Sequence, residues 1–456
     1  MKKIFVVIIC CICCEMAAAQ TSYTLEQILN IARMHNITLR NAYHAYDAAI
    51  EQRKEAFTKY FPSISGTGLW FNANKGMAQT TVTPSEMISP EMGAGLAQMF
   101  PAEALAALAN PVSISMMKNG TIGSLMAVQP VFAGGQIVNA NRLAKVGEDV
   151  ANLQLQLSEN EVEKTAEQYF WQIVTLQEKM KTVAAVEAML ADIHKDVDVA
   201  VRAGVALRND LLQVDLRQNE VESQKLKLQN GINIVKLLLA QYCGLSSSDF
   251  TIHSSELLSS DSINAQPNYA QYTLNYELNT LPEYQLLQKQ VEAAALQKKM
   301  AVGQNLPSIA VGAGFNYHNL LDKNRAFGMV FATVSIPISN WWGGSHAIKR
   351  KKIEYQRALD EQQDKAQLLE IRIQNAWNNV VEARQQLGIA QRSIEQADEN
   401  LRLHRDYYRA GTCKMSDLLE AQLLYQQSLD RRTDAYAQYQ IRQLEYRQAT
   451  GTAATE

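Results

Sequence analysis

The sequence has 456 residues, of which 47% are hydrophobic and 20% are charged, and its formal net charge at pH 7 is −3. This near-neutral balance lacks the basic surplus of nucleic-acid-binding proteins, so no nucleic-acid partner is expected. No stretch after residue 20 reaches the length of a transmembrane helix, so any membrane crossing is expected to use strands.

Residues 1–19 are predicted to be a secretory signal peptide. A basic start at Lys2 and Lys3 precedes the apolar run Ile4–Cys14, and Ala17–Ala19 has the small residues of a cleavage site. A spanning helix needs roughly 20 residues, so a retained membrane anchor is the weaker alternative. The mature chain is therefore expected to be exported.

Residues 20–244 are predicted to form a first structural repeat. Its expected elements are a helix at Thr24–Lys59, strands at residues 63–72 and 121–132, and helices at Gln136–Arg202 and Leu207–Tyr242. Phe61-Pro62-Ser63 stops the first helix, and Gly134-Gly135 ends the second strand. A long insertion at residues 73–120 separates the strands, and residues 245–280 are read as a polar linker.

Residues 281–451 are predicted to form a second structural repeat, before a tail at residues 452–456. Its expected elements are a helix at Leu281–Gln304, strands at residues 308–318 and 327–338, a long helix that ends at Gly411, and a helix at Met415–Thr450. Leu306-Pro307-Ser308 stops the first helix, and Trp341-Trp342-Gly343-Gly344 is predicted to end the second strand. The stretches that begin at Arg202 and Arg409 are 207 residues apart, which indicates an internal duplication.

The long helices carry a seven-residue repeat of apolar residues. In the second half, one seam position is held by Ile373, Val380, Leu387, Ile394, Leu401 and Tyr408, and the other is mostly alanine. In the first half, Glu187 and His194 are polar exceptions. A strict repeat of this kind predicts supercoiled packing against partner helices.

Only two cysteines, Cys243 and Cys413, remain after the predicted signal peptide. Cys413 lies beside Gly411, whose counterpart is Gly204, and Cys243 lies 39 residues beyond Gly204 on a predicted helix. That spacing corresponds to roughly 50 Å, whereas a disulfide needs Cα atoms within about 7 Å. The two cysteines are therefore expected to be unpaired.

The four predicted strands have the length of membrane strands, roughly 9–11 residues. In the clearest one, Ile309, Val311, Ala313, Phe315 and Tyr317 share one face, and glycine and polar residues share the other. This alternation suits a sheet between lipid and water, and it equally suits a soluble sheet that packs on helices. Four strands cannot close a barrel, and an open edge in lipid leaves unpaired backbone groups. Membrane strands would therefore require an oligomer.

Paired motifs recur at matching places in both halves. They are the two Pro-Ser stops, the junctions Gln129–Gly135 and Ile336–Gly344, and the segment Tyr408–Thr412 followed by Asp417–Glu420. In these features the chain resembles the TolC-type outer-membrane efflux proteins along almost its whole mature length.

The resemblance implies a mainly α fold with membrane β. Three chains would share a 12-stranded transmembrane β-barrel, four strands from each, and long antiparallel coiled-coil helices would form a trimeric α-barrel. It also implies a passive duct of a tripartite efflux or type I secretion system, in the outer membrane with a large periplasmic portion. The implied partners are two sister subunits, outer-membrane lipid, a periplasmic adaptor protein and an inner-membrane transporter.

The resemblance assigns a periplasmic gate to Asp417 and Glu420. They lie three residues apart, so they share a helix face, and they fall on positions where carboxylates ring the channel mouth in the family. The same pair also fits a capping box with the aspartate as the cap, as do Asp210 and Gln213. Both roles stay open.

The resemblance also assigns tip-closing and docking residues. Asp210 and Tyr408 match two members of a closing link whose arginine is replaced by Cys413 here, and Lys414 and Arg208 are the candidates to substitute for it. The turns Ala203-Gly204-Val205 and Ala410-Gly411-Thr412 match tips that dock the adaptor. As an alternative, these turns only end helices through glycine.

Nothing in the sequence points to catalysis. There is no nucleophile and base set, no phosphate-binding glycine loop and no metal-like histidine spacing, so no enzyme activity, cofactor or metal is expected. Two other functions stay open. A periplasmic adaptor would need lipoyl-like and small β-barrel domains around a single hairpin, and an exported structural coiled-coil protein would not need the alternating strands.

Overall fold

The computed structural model describes residues 21–76, 78–89, 92, 101, 106, 110–252, 277–320 and 323–451. The predicted signal peptide, the tail and parts of the insertion and linker lie outside the described residues. The chain divides into two compact units, one of Glu51–Val146 with Glu292–Gln356, here called the strand unit, and one of the remaining segments, here called the helical unit. Over the described ranges, none of the helices is long and apolar enough to cross a membrane.

Helices make up most of the described chain, as the sequence predicts. In chain order they are α1 Leu25–His35, α2 Ile37–Thr58, α3 Gln136–Arg202, α4 Arg208–Cys243, α5 Pro282–Gly303, α6 Asn340–Arg409 and α7 Met415–Thr450. The bounds of α3 and α7 are those expected from the sequence, and the bounds of α4 and α5 differ from the expected ones by one residue at each end.

The single helix predicted at Thr24–Lys59 is wrong, because the chain breaks between α1 and α2. Asn36 has extended backbone angles, φ −63° and ψ 131°. Its side-chain oxygen accepts the N–H groups of Thr38 at 2.8 Å and Leu39 at 3.2 Å, and its amide donates to the carbonyl of Tyr242 at 2.9 Å. The side chain therefore caps α2 locally, a competition with the helix ladder that is usual for asparagine.

Within the described ranges, the strands form one four-stranded sheet and two small pairs. They are β1 Thr21–Tyr23, β2 Ser63–Asn72, β3 Ala78–Val82, β4 Val112–Met116, β5 Asn119–Ala133, β6 Phe250–Ile252, β7 Ser308–Leu320 and β8 Lys323–Ser335. The large sheet is antiparallel, in the order β2-β5-β7-β8. Two features were not predicted from the sequence: the β3–β4 hairpin in the insertion, and the parallel pairing of β1 with β6 at the start of the linker.

The two halves differ where strand gives way to helix. Gly134 and Gly135 follow β5 directly and both have positive φ angles, 60° and 75°. Their predicted counterparts Gly343 and Gly344 do not end a strand: they lie inside the first turns of α6. The predicted strand to residue 338 is also wrong, because β8 ends at Ser335 before Pro337, which has no N–H to continue the ladder.

The register of the large sheet aligns apolar residues on one face. Ile309 is opposite Val334, and Ala313 is opposite Val330 and Ala127. The exposed apolar side chains of this face are Ile64, Trp70, Leu125, Ile309, Val311, Phe315, Tyr317, Val330 and Val334. From Ser63 to Asn72 and across β5, β7 and β8, the only charged residues are Lys323 and Arg325 at the start of β8. This face is therefore apolar and free of charge.

The opposite face of the sheet is only partly as expected. Thr67, Ser124 and Asn316 lie on it in register, which fits the predicted polar character. However, β8 contributes Phe327, Met329 and Phe331 to the same face. Phe331 lies over Gly312, where a side chain would clash with its ring, so the glycine leaves room for a neighbouring aromatic.

The core of the helical unit follows the predicted seven-residue repeat. In α3, Ala166, Ile173, Val183, Leu190 and Val197 are at most 1% exposed, and in α6 Ile373, Leu387, Leu401 and the seam alanines are buried. The polar exceptions face α4, where Lys225 pairs with Glu187 at 2.7 Å and His194 with Asp215 at 3.1 Å. The predicted helix seam is confirmed.

The two cysteines of the described chain are unpaired, as predicted. Cys243 is fully buried at the end of α4, near the carbonyl of Ile28. Burial raises the pKa of the Cys243 thiol to about 11, so the group packs as a neutral apolar side chain.

Candidate functional site

The helices α3 and α6 end in the same kind of turn. The N–H of Val205 donates to the carbonyl of Ala200 at 3.0 Å, and the N–H of Thr412 donates to that of Tyr407 at 2.9 Å. Gly204 and Gly411 stand one residue earlier, with φ 75° and 71°. This six-to-one bond around a left-handed residue is the Schellman helix end, which glycine adopts without steric cost.

The helices that follow begin with an aspartate in the third position. The carboxylate of Asp210 accepts the N–H of Leu207 at 3.2 Å, and that of Asp417 accepts the N–H of Lys414 at 3.2 Å. The alternative in which each aspartate is itself the N-cap is therefore wrong. The N-caps are Leu207 and Lys414, three residues earlier, because α4 and α7 begin soon after the glycine turns. Each carboxylate still satisfies a free amide and faces the positive helix end.

One cleft brings the two helix ends together. It has a volume of about 770 Å³ and is lined by both turns and by charged side chains of α3 and α6. Of the residues assigned from the sequence, Val205, Asp210, Tyr408, Ala410 and Gly411 line it. The lining does not include Ala203, Gly204, Arg208, Thr412, Lys414, Asp417 or Glu420. The cleft will be called the tip cleft.

The charge of Asp210 acts on Tyr408 across the tip cleft. The pKa of the Tyr408 phenol is raised, first by burial and then by the negative charge of Asp210. The phenol therefore stays neutral, which keeps its O–H available as a donor. In the part of the chain that the structure describes, no hydrogen bond joins the two side chains.

Cys413 points back into its own helix end. Its thiol lies 3.5 Å from the carbonyl of His404, and its pKa is raised, first by burial and then by Asp417. The position that the resemblance assigns to an arginine is thus filled by a neutral thiol. Neither candidate substitute from the sequence, Lys414 or Arg208, lines the tip cleft.

Two arginines of α6 line the tip cleft instead, beside Lys195 of α3. Arg405 and Arg409 both line it, and Arg409 lies 3.8 Å from Asp196 of α3. Sequence reasoning missed these residues. Each is one place beyond a seam position, His404 and Tyr408, so the seven-residue repeat contained the signal that they flank the helix contact.

The two gate carboxylates differ in environment. Asp417 is partly buried and also accepts a hydrogen bond from the hydroxyl of Ser416 at 3.0 Å. Glu420 is exposed one turn further along α7. They share a helix face, as predicted from their spacing. The tip therefore presents one carboxylate held by local bonds and one that is open to solvent.

A buried polar layer lies further along α4 and α7, and the sequence analysis missed it. Arg217 of α4 donates to the side-chain oxygens of Gln422 at 3.1 Å and Gln426 at 2.9 Å on α7. Gln422 is 0% and Gln426 is 2% exposed. A third guanidinium bond reaches the exposed Glu220 at 2.9 Å. These bonds join α4 to α7 with directional contacts that apolar residues cannot provide.

Among the residues that the structure describes, no group of three or more His, Cys, Asp or Glu side chains is placed to hold an ion.

Comparison with known proteins gives a family match in the second half. Residues 274–452 match the family model of the outer membrane efflux protein. No curated protein sequence matches the chain.

Solved structures match nearly the whole chain in fold. The outer membrane protein VceC of Vibrio cholerae has 14% identity and a TM-score of 0.70, covering 94% of this chain and 96% of its own. CusC has 14% identity and a TM-score of 0.77, covering 95% and 93%. The CmeC outer membrane channel of Campylobacter jejuni has 13% identity and a TM-score of 0.71, covering 94% and 85%.

The matching family model describes an outer membrane efflux protein, and VceC and CmeC are outer-membrane proteins. The resemblance of the chain to the TolC-type outer-membrane efflux proteins is confirmed, by sequence over residues 274–452 and by fold over almost its whole length.

Proposed function

We propose that the protein is the outer-membrane channel of a tripartite efflux or type I secretion system. Three copies form a passive, non-enzymatic duct across the outer membrane and the periplasm. A periplasmic adaptor docks on its tip, and an inner-membrane transporter supplies the energy. The proposal includes export through the predicted signal peptide and two structural repeats, residues 20–244 and 281–451.

The observation that carries the proposal is the open four-stranded sheet. Within the described ranges, β2 pairs only with β5 and β8 pairs only with β7, so both outer edges are unpaired. One face of this sheet exposes uncharged apolar side chains, with Val330 85% and Trp70 71% exposed. In lipid the unpaired edges would be costly, and edges from sister subunits would satisfy them. Three copies would supply twelve strands, which is within the range of closed barrels.

The tip residues are proposed to dock and gate. Ala203, Gly204, Val205, Ala410, Gly411 and Thr412 are all exposed, with Val205 at 80%, which suits a docking surface for the adaptor. Asp417 and Glu420 are proposed to form the gate, with six carboxylates in the trimer. Such a ring favours cations, and its repulsion resists tight closure.

Tip closure is proposed to use Asp210 and Tyr408. Both line the tip cleft, where the charge of Asp210 contributes to the raised pKa of Tyr408. Arg405 and Arg409 line that cleft beside Lys195, so these two arginines fit the missing arginine better than Lys414 or Arg208, which do not line it.

The alternative functions gain no support from the fold. An adaptor protein would need additional small domains beside a single hairpin, whereas the related channels cover 94% to 95% of this chain. A structural coiled-coil protein gives no reason for the exposed apolar sheet face.

Membrane fractionation with an edge cross-link tests the proposal. The variant Thr67→Cys on β2 is combined in turn with Met329→Cys, Phe331→Cys and Thr333→Cys on β8, which lie on the same sheet face, in a Cys413→Ser background. We expect outer-membrane recovery as a heat-sensitive oligomer, and oxidation of at least one pair to give covalent species up to the trimer. A soluble periplasmic monomer, with no cross-link at any pair, would overturn the channel.

A further inference from the structure

The helical ends within the strand unit carry a strong surplus of positive charge. They are residues 51–59, 136–146, 292–303 and 340–356, here called the basic collar. They contain eleven Lys or Arg and four Asp or Glu, a formal charge of +7, whereas the whole chain has −3. The adjoining strands are almost free of charge. This separation places 11 of the 15 Lys and Arg residues of the strand unit in the basic collar and only Lys323 and Arg325 within the large sheet.

Most of these cations are exposed to solvent. The exposed ones are Arg53, Lys54, Lys59, Arg142, Lys145, Lys299, Lys349, Arg350 and Lys352. Because cations outnumber carboxylates in the basic collar by eleven to four, the exposed set produces a net positive potential over the surface.

The densest part of the basic collar is the run Lys349–Lys352 in α6. Lys351 donates to Gln297 at 2.9 Å and to Glu354 at 2.6 Å, and Arg350 lies 3.6 Å from the same glutamate. Lys349 and Lys352 have no ion-pair partner among the described residues. Two of the four cations thus pair with a single carboxylate, so most of the charge of this run is left for an external anion.

Aromatic side chains lie between the basic collar and the sheet. Tyr60 and Phe61 precede β2, and Trp341 and Trp342 begin α6; all four are exposed, Trp342 by 82%. The indole of Trp341 donates to the carbonyl of Asn305 at 3.0 Å, and Gln129 donates to the carbonyl of Tyr60 at 3.1 Å. These bonds hold Trp341 and Tyr60 in place where the helices meet the strands. The ring of Trp342 stays open to solvent.

The order of side chains in the strand unit is therefore apolar strands, then aromatics, then cations. A lipid leaflet presents hydrocarbon, an amphipathic interface and then head-group phosphate in the same order. We propose that the basic collar binds the phosphates of anionic phospholipids, mainly through Lys349, Arg350 and Lys352. The inference rests on the proposed membrane location of the sheet. Because the helices are proposed to enter the periplasm, the lipid belongs to the periplasmic leaflet.

Lipid binding by the purified full-chain oligomer tests the inference. The probe is fluorescent phosphatidylglycerol in detergent micelles, titrated against phosphatidylcholine as the zwitterionic reference. The variant Lys349→Gln/Arg350→Gln/Lys352→Gln is compared with Lys227→Gln/Lys365→Gln/Arg431→Gln, which removes three exposed charges from the helical unit. We expect at least a fivefold loss of the preference for phosphatidylglycerol in the first variant, no loss in the second, and loss of the preference in high salt.

Each other outcome contradicts a specific step. Equal wild-type affinity for the two lipids, with the oligomer intact in the outer membrane, overturns the lipid site and leaves the channel standing. An equal loss in both triple variants shows a bulk charge effect and overturns the site. If lipopolysaccharide displaces the fluorescent probe more strongly than unlabelled phosphatidylglycerol does, the assignment of the site to the periplasmic leaflet is wrong. If the triple variant does not assemble, Lys349→Gln and Lys352→Gln singly decide, and Lys349→Arg/Lys352→Arg must keep the preference.

Discussion

Asp430 of α7 is an acid in an unfavourable place. One of its carboxylate oxygens is buried and has no hydrogen-bond partner in the described structure. Lys179 of α3 lies nearby but pairs at 2.7 Å with Asp434, the neighbouring acid on α7. The pKa of Asp430 is raised to about 6, mainly by burial; Lys179 opposes the shift and the charge of Asp434 adds to it. The folded chain therefore favours the protonated form of this residue.

Replacing Asp430 by Asn is expected to stabilise the protein at neutral pH. A raised folded-state pKa gives stability that is present below about pH 4, where the unfolded group titrates, and that is lost as pH rises through about 6. Because Asp430 keeps part of its surface in water, we expect a gain of about 1–2 kcal/mol at pH 7.5 and almost none at pH 4. Thermal unfolding at both pH values measures it.

The neighbouring Asp434→Asn variant is the control for Asp430→Asn. Asp434 is half exposed and paired with Lys179, so its loss is not expected to stabilise at pH 7.5. If Asp430→Asn unfolds at the same or a lower temperature than the wild type at pH 7.5, the ionised carboxylate of Asp430 does not destabilise the folded protein.

Arg217 is expected to be required for the packing of α4 on α7. Arg217→Met leaves the side-chain oxygens of Gln422 and Gln426 without their donor, and a buried acceptor without a partner costs about 1–3 kcal/mol. We expect a loss of about 2–3 kcal/mol in thermal or denaturant unfolding. The exposed Arg431→Met is the matched control and should change stability little.

A second variant separates lost hydrogen bonds from lost volume at Arg217. The triple change Arg217→Met/Gln422→Leu/Gln426→Leu removes donor and acceptors together, so it should recover most of the stability. If the single and triple variants lose the same stability, the polar layer is not held by these hydrogen bonds.

At the scale of elements, the end of α5 is expected to tolerate no side chain. The backbone of Gly303 approaches that of Gly134, so a Cβ on Gly303 would clash with the Gly134 carbonyl oxygen. A backbone atom cannot rotate away, so Gly303→Ala should cost about 1–3 kcal/mol. Gly147 of α3 is the control, because a Cβ there meets nothing within 4 Å and alanine favours a helix by up to ~1 kcal/mol. If Gly303→Ala and Gly147→Ala are equally stable in thermal unfolding, the close approach of Gly303 to Gly134 is wrong.

The long elements were predictable from the sequence because their signals are periodic. Gly204 and Gly411 marked helix ends, and the alternation in β7 marked its apolar face. The elements that were missed depend on distant partners. The pairs β1–β6 and β3–β4 are three and five residues long and show no period of their own. The break at Asn36 depends on the carbonyl of Tyr242, 206 residues away.

The candidate site was predictable only in part. The turns and acids were found through the duplicated pattern, whereas Arg405 and Arg409 follow from which helix faces meet at the tip. The polar layer at Arg217 was hidden because arginine and glutamine on a helix are usually solvated. Only the packing of α4 on α7 shows that Gln422 is buried.

At the scale of the whole molecule, the proposed gate makes a prediction for ion conduction. Asp417→Asn with Glu420→Gln removes six negative charges from a trimer, so the ratio of cation to anion permeability should fall at least twofold. The asparagine keeps an oxygen for the amide of Lys414, so folding should be preserved. Reversal potentials in planar bilayers under a salt gradient measure the ratio.

The matched control for the gate removes the same charge elsewhere. Glu222→Gln with Asp364→Asn changes two exposed acids of the helical unit and should leave selectivity as it is in the wild type. Unchanged selectivity in the tip variant, or an equal change in the control, would show that Asp417 and Glu420 do not face the permeating ions.

The open sheet also has a consequence for the cell that makes the protein. Under the proposed trimer, a newly exported monomer has two unpaired strand edges and an exposed apolar face until it assembles with two other subunits. Such surfaces invite aggregation, and the chance that three copies meet falls steeply as their number falls. The expression level therefore has a lower and an upper limit. Too low a level leaves monomers that assemble slowly, and too high a level leaves monomers that aggregate. A holding chaperone would widen that range.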